Sequence, residues 1–250
     1  MQSKTWRFIP LLEANGITQM AIDTWLLQQH LQGNQPPTLR FYTWLPTAIS
    51  LGYNQRNYPE FWHDLTWQGK PIDIVRRPTG GRAVLHQGDL SYAVINSDMQ
   101  GKTLEIYQNI SQFLIEGWRS LGVNLSYGKA GKGYIHNPSC FGTATGADLV
   151  DVEGNKLIGS AQLRRGKGFL QHGSMYLSPD LELFQQVFKT SFQPARIPLI
   201  ETGDALRAII VEKLTQAATN CFNIELINQP LSEKEWEEIN LGIINYQSKI

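Results

Sequence analysis

The sequence predicts an α+β fold in a single domain. Three observations lead there. Strand-like runs cluster in two blocks, residues 39–95 and 148–177, and short turns join them. Helical periodicity falls before, between and after these blocks, and the last seventy residues are mostly helical. No internal repeat, low-complexity tract or linker divides the 250 residues, a length that suits one large domain.

Taken in order, residues 6–10 read as a short edge strand. Residues 17–31 read as a helix, with Thr18 as its cap and Ile17, Met20, Ala21, Leu27 and Leu31 at helical spacing. Pro36 and Pro37 end that region, and residues 39–44 and 48–51 form two strands around Pro46. Residues 59–67 suggest a short helix with aromatic anchors. Strand-like runs follow at 72–75, 83–85 and 90–95. Thr103 resembles an N-cap, and Ile106, Ile110, Phe113, Leu114, Gly117 and Leu121 then mark an amphipathic helix that Gly122 stops. Residues 123–127 read as a strand, and 128–146 as a long polar loop of the functional kind. Residues 148–152 and 156–164 form a hairpin, with Lys156, Ile158, Ser160, Gln162 and Arg164 on one face. Residues 169–177 add a strand, 181–188 and 203–221 two helices, and 224–226 a strand. Ser232 and Glu235 fit a capping box that opens a final helix.

The bulk numbers exclude several classes. Lys+Arg and Asp+Glu balance at 22 each, which argues against a general nucleic-acid binder. No apolar run approaches the ~18 residues of a membrane span, and the first residues lack the apolar core of a secretory signal. The two cysteines, Cys140 and Cys221, form neither a metal motif nor a disulfide framework, so a reducing cytoplasm is the expected compartment.

The stretch 76–95 is the centre of the functional reading. Arg76 and Arg77 precede Pro78-Thr79-Gly80-Gly81, Arg82 follows, and the next apolar run ends on His86. Paired glycines permit a backbone path and a close ligand approach that side chains forbid. Cations around such a turn suit an anionic or acyl-carrying ligand. A glycine turn with surface arginines fits the same pattern. Cys140 sits in a polar loop and is the best nucleophile candidate, set against a loop cysteine with no role; Cys221 closes an apolar helix face and reads as core. Lys156 alone reads as a solvated strand-start lysine, but Cys140 upstream and His172 on the next strand raise its value. His86 and His172 each fit a satisfied structural histidine as well as a site residue. No zinc spacing, phosphate-binding loop or Gly-x-Ser-x-Gly elbow occurs.

Four segments together resemble a known superfamily. They are Asn15-Gly16-Ile17 with Met20-Ala21-Ile22-Asp23; Leu39-Arg40-Phe41-Tyr42 with Ser50-Leu51-Gly52-Tyr53-Asn54-Gln55; the stretch from Arg76 to His86; and Lys156-Leu157-Ile158-Gly159-Ser160-Ala161-Gln162 with Gln171-His172-Gly173-Ser174. In this order they resemble the biotin/lipoate protein ligase and octanoyltransferase superfamily. Arg82 in place of a third glycine, and Ser139-Cys140-Phe141, are most similar to the M-type octanoyltransferases within it. The resemblance implies one catalytic domain over residues 1–250, a core at about 16–180, a helical part at 181–250, and mixed, mainly antiparallel sheets flanked by helices. It implies an acyltransferase that moves octanoyl from octanoyl-acyl carrier protein through a Cys140 thioester to a lysine of a lipoyl carrier domain. That acceptor would be the glycine cleavage H protein or a 2-oxoacid dehydrogenase E2. Lys156 would share the catalysis. Arg77, Gly80, Gly81, Arg82, His86, Gly159, Ser160, Ala161, Gln162, His172 and Gly173 would bind substrate. No metal, nucleotide, nucleic acid or membrane is implied. The alternatives are an ATP-dependent lipoate or octanoate ligase, a non-catalytic binder of carrier domains, and an amidotransferase using the same cysteine.

Overall fold

A central antiparallel strand group, extended at one side by parallel strands, organises the chain. The computed structural model describes residues 4–99, 101–128 and 148–247, with side chains to 244. In chain order the elements are β1 (Thr5–Ala14), α1 (Gly16–Leu31), β2 (Thr38–Trp44), β3 (Ala48–Leu51), a 3₁₀ segment (Glu60–Asp64), β4 (Thr66–Trp67), β5 (Lys70–Pro71), β6 (Asp73–Arg76), β7 (Val84–His86), β8 (Asp89–Asn96) and α2 (Thr103–Ser120). Then come β9 (Ser126–Tyr127), β10 (Leu149–Val150), β11 (Lys156–Arg165), β12 (Gly168–Tyr176), α3 (Leu181–Phe188), α4 (Gly203–Phe222), β13 (Glu225–Asn228) and α5 (Glu233–Gln247).

Among the described residues the strands form three sheets. The large one has the order β13-β1-β2-β8-β12-β11-β10-β9; the smaller ones are β6-β3-β7 and the hairpin β4-β5. β13, β1 and β2 run parallel, and from β2 to β9 the pairing is antiparallel. The α+β prediction is therefore met, with sheets mainly antiparallel and flanked by helices.

Period-two alternation feeds two cores from the large sheet. Leu39, Phe41, Leu90, Tyr92 and Val94 face α2 and α4, where Ile110, Phe113 and Ile210 pack on them. Tyr42, Trp44, Ala93 and Ile95 face α1 and α5, against Ile22, Leu26 and Ile239. A third core lies under the small sheet, where Ile49 and Leu85 meet Trp62, Leu183 and Phe184 of the 3₁₀ segment and α3.

Several expectations need correction. β1 is longer than expected and is not an edge strand, because β13 pairs with it from more than 200 residues away and β2 covers its other side. The strands around Pro46 belong to different sheets. Asn15, not Thr18, caps α1: its Oδ1 accepts from the Thr18 N–H at 2.9 Å. Thr103 is the first residue of α2 rather than its cap, and Glu105 reaches back to accept from the Lys102 N–H at 2.9 Å. The expected strand at 123–127 shrinks to β9, and the helix at 59–67 to a 3₁₀ segment and a two-residue strand. Cys221 is exposed rather than core. The capping box stands, with the Ser232 N–H donating to Glu235 Oε2 at 2.8 Å.

Candidate functional site

The arginines of the central stretch shape their own loop. Arg77 is buried, and its guanidinium donates to the Ser50, Gly80 and Arg82 carbonyls at 2.7–2.8 Å. Arg76 does the same for Gly52 and Gln55 at 2.8 and 2.7 Å. Neither is the surface cation that a bare glycine turn would carry. Gly81 has φ +98°, which favours glycine, and its carbonyl abuts the loop after β3. The two arginines and the glycine pair thus hold one rigid turn against β3.

That turn walls a cavity of about 260 Å³. Arg77, Gly80, Gly81, Val84 and His86 line one side. Gly159, Ser160, Ala161 and Gln162 of β11 and His172, Gly173 and Ser174 of β12 line another. Met20, Tyr42 and Trp44 close the α1 side, and Ser50, Ser91, Tyr107 and Asp148 complete the lining. Ten of the expected substrate-binding residues therefore meet in one place. Arg82 is not among the lining residues. The volume lies near the small end of ligand cavities, which run to roughly 300–1,000 Å³.

On the β11–β12 wall the polar groups are bonded to one another. The Tyr92 hydroxyl lies 2.8 Å from Ser160 Oγ, and Gln162 donates to Gln171 at 3.0 Å. Burial pushes the Tyr92 phenol up to about 12, so it remains a neutral hydrogen-bonding group. A Cβ on Gly173 would stand 2.5 Å from Ser160 Oγ and 2.7 Å from the Gly159 carbonyl, so glycine keeps this wall open.

Both histidines are clamped. His86 Nδ1 lies 2.8 Å from Asp89 Oδ2 and its Nε2 2.8 Å from Ser50 Oγ, while its ring stacks on Trp44 at 3.8 Å. Burial lowers its pKa, more than the Asp89 carboxylate raises it. The neutral ring then donates from Nδ1 to Asp89 and accepts from Ser50 at Nε2. His172 Nδ1 donates to Asp23 Oδ2 at 2.7 Å, and its Nε2 lies 2.7 Å from Thr79 Oγ1. Arg40 pairs with the same Asp23 at 2.9 Å. The rings line the cavity, but their nitrogens are engaged within the protein.

Lys156 is buried, contrary to the solvated reading of a strand-start lysine. Its Nζ lies 2.8 Å from Asp148 Oδ1, and both side chains are 3% exposed. A β-bulge explains why simple alternation misplaced it: Leu149 pairs with Ile158 but Val150 with Lys156, leaving Leu157 extra. Leu157 and Ile158 both enter the core on the α2 side. The Gly128 N–H donates to the Asp148 carbonyl at 2.9 Å, which joins the two ends of the segment 129–147 beside the cavity. Cys140 lies in that segment, outside the described residues.

Sequence reasoning missed Met20, Tyr42, Trp44, Ser50, Val84, Ser91, Tyr107, Asp148 and Ser174. Most are ordinary strand or helix residues with no local signal. Asp148 gains its meaning only once Lys156 is found buried, because a buried lysine needs a counter-charge and the acid at the hairpin's start is the near choice. Among the described residues no group of three or more His, Cys, Asp and Glu could hold a metal, and no helix is long and apolar enough to cross a membrane.

The site this fold presents is a glycine-walled cavity beside a buried lysine–aspartate pair. The chain belongs to the lipoyl protein ligase A/B catalytic domain family, whose model matches residues 15–219. It is 39% identical to the octanoyltransferase LipM of Carboxydothermus hydrogenoformans, over 94% of this chain and 93% of that one. It is also 39% identical to the octanoyltransferase LipM of Brevibacillus brevis, over 92% and 91%. The fold is similar to that of the T. acidophilum protein Ta0514 with bound lipoic acid, at TM-score 0.77, 21% identity and 98% and 96% coverage. It is likewise similar to a lipoate-protein ligase A bound with ATP, at TM-score 0.76, 21% identity and 97% and 94% coverage.

Proposed function

We propose that this chain is an octanoyltransferase of lipoate biosynthesis that works through a cysteine. The octanoyl group arrives as a thioester on the phosphopantetheine arm of acyl carrier protein. Cys140 Sγ attacks its carbonyl carbon; the new C–S bond forms, the old one breaks, and the proton of the Cys140 thiol ends on the departing thiol. Exchange between thioesters is nearly isoenergetic, so no nucleotide is consumed. The neutral amine of a lysine on a lipoyl carrier domain then attacks the Cys140 thioester. An amide forms, Cys140 leaves, and the amine proton returns to its sulfur. The acceptor is of the glycine cleavage H protein or 2-oxoacid dehydrogenase E2 kind, and the setting is the cytoplasm.

One observation carries this reading. A cavity suited to one medium acyl chain lies beside the buried Lys156–Asp148 pair, at the point where the Cys140 segment begins and ends. An ammonium in a site with little water stabilises a developing oxyanion far better than one in solvent. Gly80, Gly81, Gly159 and Gly173 let the acyl chain lie against backbone. The identity to named octanoyltransferases supports octanoyl as the cargo.

The test is intact mass after incubation with octanoyl-acyl carrier protein. An octanoyl adduct is expected on the wild type and absent from Cys140→Ser; adding lipoyl domain should discharge it. Transfer that survives Cys140→Ser and requires ATP with free octanoate would overturn the reading in favour of a ligase. Carrier binding without turnover would leave a binding protein. Loading only from octanoylated H protein would make it an amidotransferase.

A further inference from the structure

We infer that Asp148 is a positioning residue for acyl transfer: it holds the Lys156 side chain in place beside the cavity and supplies its counter-charge. This rests on the octanoyltransfer reading and adds a residue to it. Three observations carry it.

The first is the pair itself. Lys156 Nζ and Asp148 Oδ1 are 2.8 Å apart with both side chains 3% exposed. Burying two charges costs their hydration, and a hydrophobic pair of similar volume commonly stabilises a fold as well or better. A buried ion pair is therefore weak evidence of a stability role. Its location gives it another, since Asp148 lines the cavity and Lys156 is one contact behind it.

The second is charge control. A lysine taken from water without a counter-ion tends to shed its proton. A carboxylate at hydrogen-bond distance opposes that loss, and so keeps a cation available to a developing oxyanion.

The third is geometry. Among the described residues, the Asp148 carboxylate holds Lys156 and its carbonyl accepts from the Gly128 N–H at 2.9 Å. The register shift opposite Leu157, between Leu149 and Val150, lies between the acid and the turn that brings the chain back to Lys156. One residue thus ties the end of β9 to the lysine. Two titratable groups on the neighbouring described elements, Asp151 and Tyr127, are engaged elsewhere. Asp151 accepts from the Glu153 and Asn155 N–H groups at 3.0 and 2.8 Å, and the Tyr127 hydroxyl donates to the Gln108 carbonyl at 3.2 Å. Tyr107 of α2 also borders the cavity.

The experiment measures single-turnover octanoyl transfer across the neutral-to-alkaline range for the wild type, Asp148→Asn, Asp148→Glu, Lys156→Met and the Asn/Met double variant. Asp148→Asn should lose about tenfold to a hundredfold in rate, the weight of a hydrogen bond to a charged group. Its activity should also fall away at lower pH than the wild type's, because the buried ammonium has lost its counter-charge. Asp148→Glu should recover part of the rate with the wild-type pH profile. In the Lys156→Met background, Asp148→Asn should add little. An unchanged rate and profile in Asp148→Asn overturns the inference. So does an undiminished loss when Lys156 is already Met, which would mean that Asp148 acts apart from the lysine. If Asp148→Asn does not fold, Asp148→Glu decides: an altered pH profile there overturns the inference, and a reduced rate with the wild-type profile supports it. A wild type that transfers no octanoyl overturns the functional reading instead, and this inference with it.

Discussion

Gly52 and Gly81 approach so closely that a Cβ on Gly52 would stand 1.8 Å from the Gly81 carbonyl oxygen. The obstacle is backbone, so it cannot rotate away. Gly52→Ala should therefore push the glycine turn, whose neighbours wall the cavity, out of place. We expect a loss of octanoyl transfer greater than the loss of stability, which should be about 1–3 kcal/mol as for other overpacked sites. Denaturant unfolding and transfer rates measured on the same preparation check this. Transfer at the wild-type rate would show that the turn does not shape the site.

His86 makes stability depend on pH. Burial holds its folded-state pKa below the ordinary 6.5 despite Asp89. At a pH between the two values the unfolded chain binds more protons than the folded one. Stability from this group is thus fully present above about pH 6.5 and declines as pH falls towards the folded value. Urea midpoints should drop on acidification below neutral, and drop less in His86→Gln. Equal slopes in both proteins would contradict the assignment.

Arg7 and Glu235 clamp the two ends of the chain. The guanidinium donates to both carboxylate oxygens at 2.6 and 2.9 Å, linking β1 to α5. Burial raises the Glu235 carboxyl, but the Arg7 and Ser232 hydrogen bonds outweigh it and hold the pKa below 4.5. The stabilisation is therefore present above about pH 4.5 and lost as pH falls through the folded value. Arg7→Met should cost about 3–5 kcal/mol, since it strands a largely buried charge. Thermal unfolding of the variant beside Glu235→Gln checks it.

Cys221 should be chemically visible and functionally idle. It is exposed on α4, and partial burial with Glu116 nearby raises its thiol pKa. Iodoacetamide should modify it slowly at neutral pH and faster as pH rises. Cys221→Ser should leave transfer unchanged, whereas blocking Cys140 should abolish it. Loss of transfer in Cys221→Ser would reassign the nucleophile.

The sequence by itself determined the α+β class, most element positions and the ten residues that meet at the cavity. The class and the elements follow from periodicity and turn chemistry, which are local properties, whereas the ten residues came from the resemblance to the family. It did not determine that β13 covers β1, because parallel pairing across more than 200 residues leaves no local mark. Nor did it show that Arg77 and both histidines are engaged inside the protein, since a side chain's partners come from other strands. Lys156 gives the sharpest contrast. Its identity and strand position were legible, but a single bulge residue and one acid upstream decided that it is buried and paired. Burial and pairing arise from where strands meet in space, and only the tertiary structure brings Asp148 and Lys156 to the same corner of the cavity.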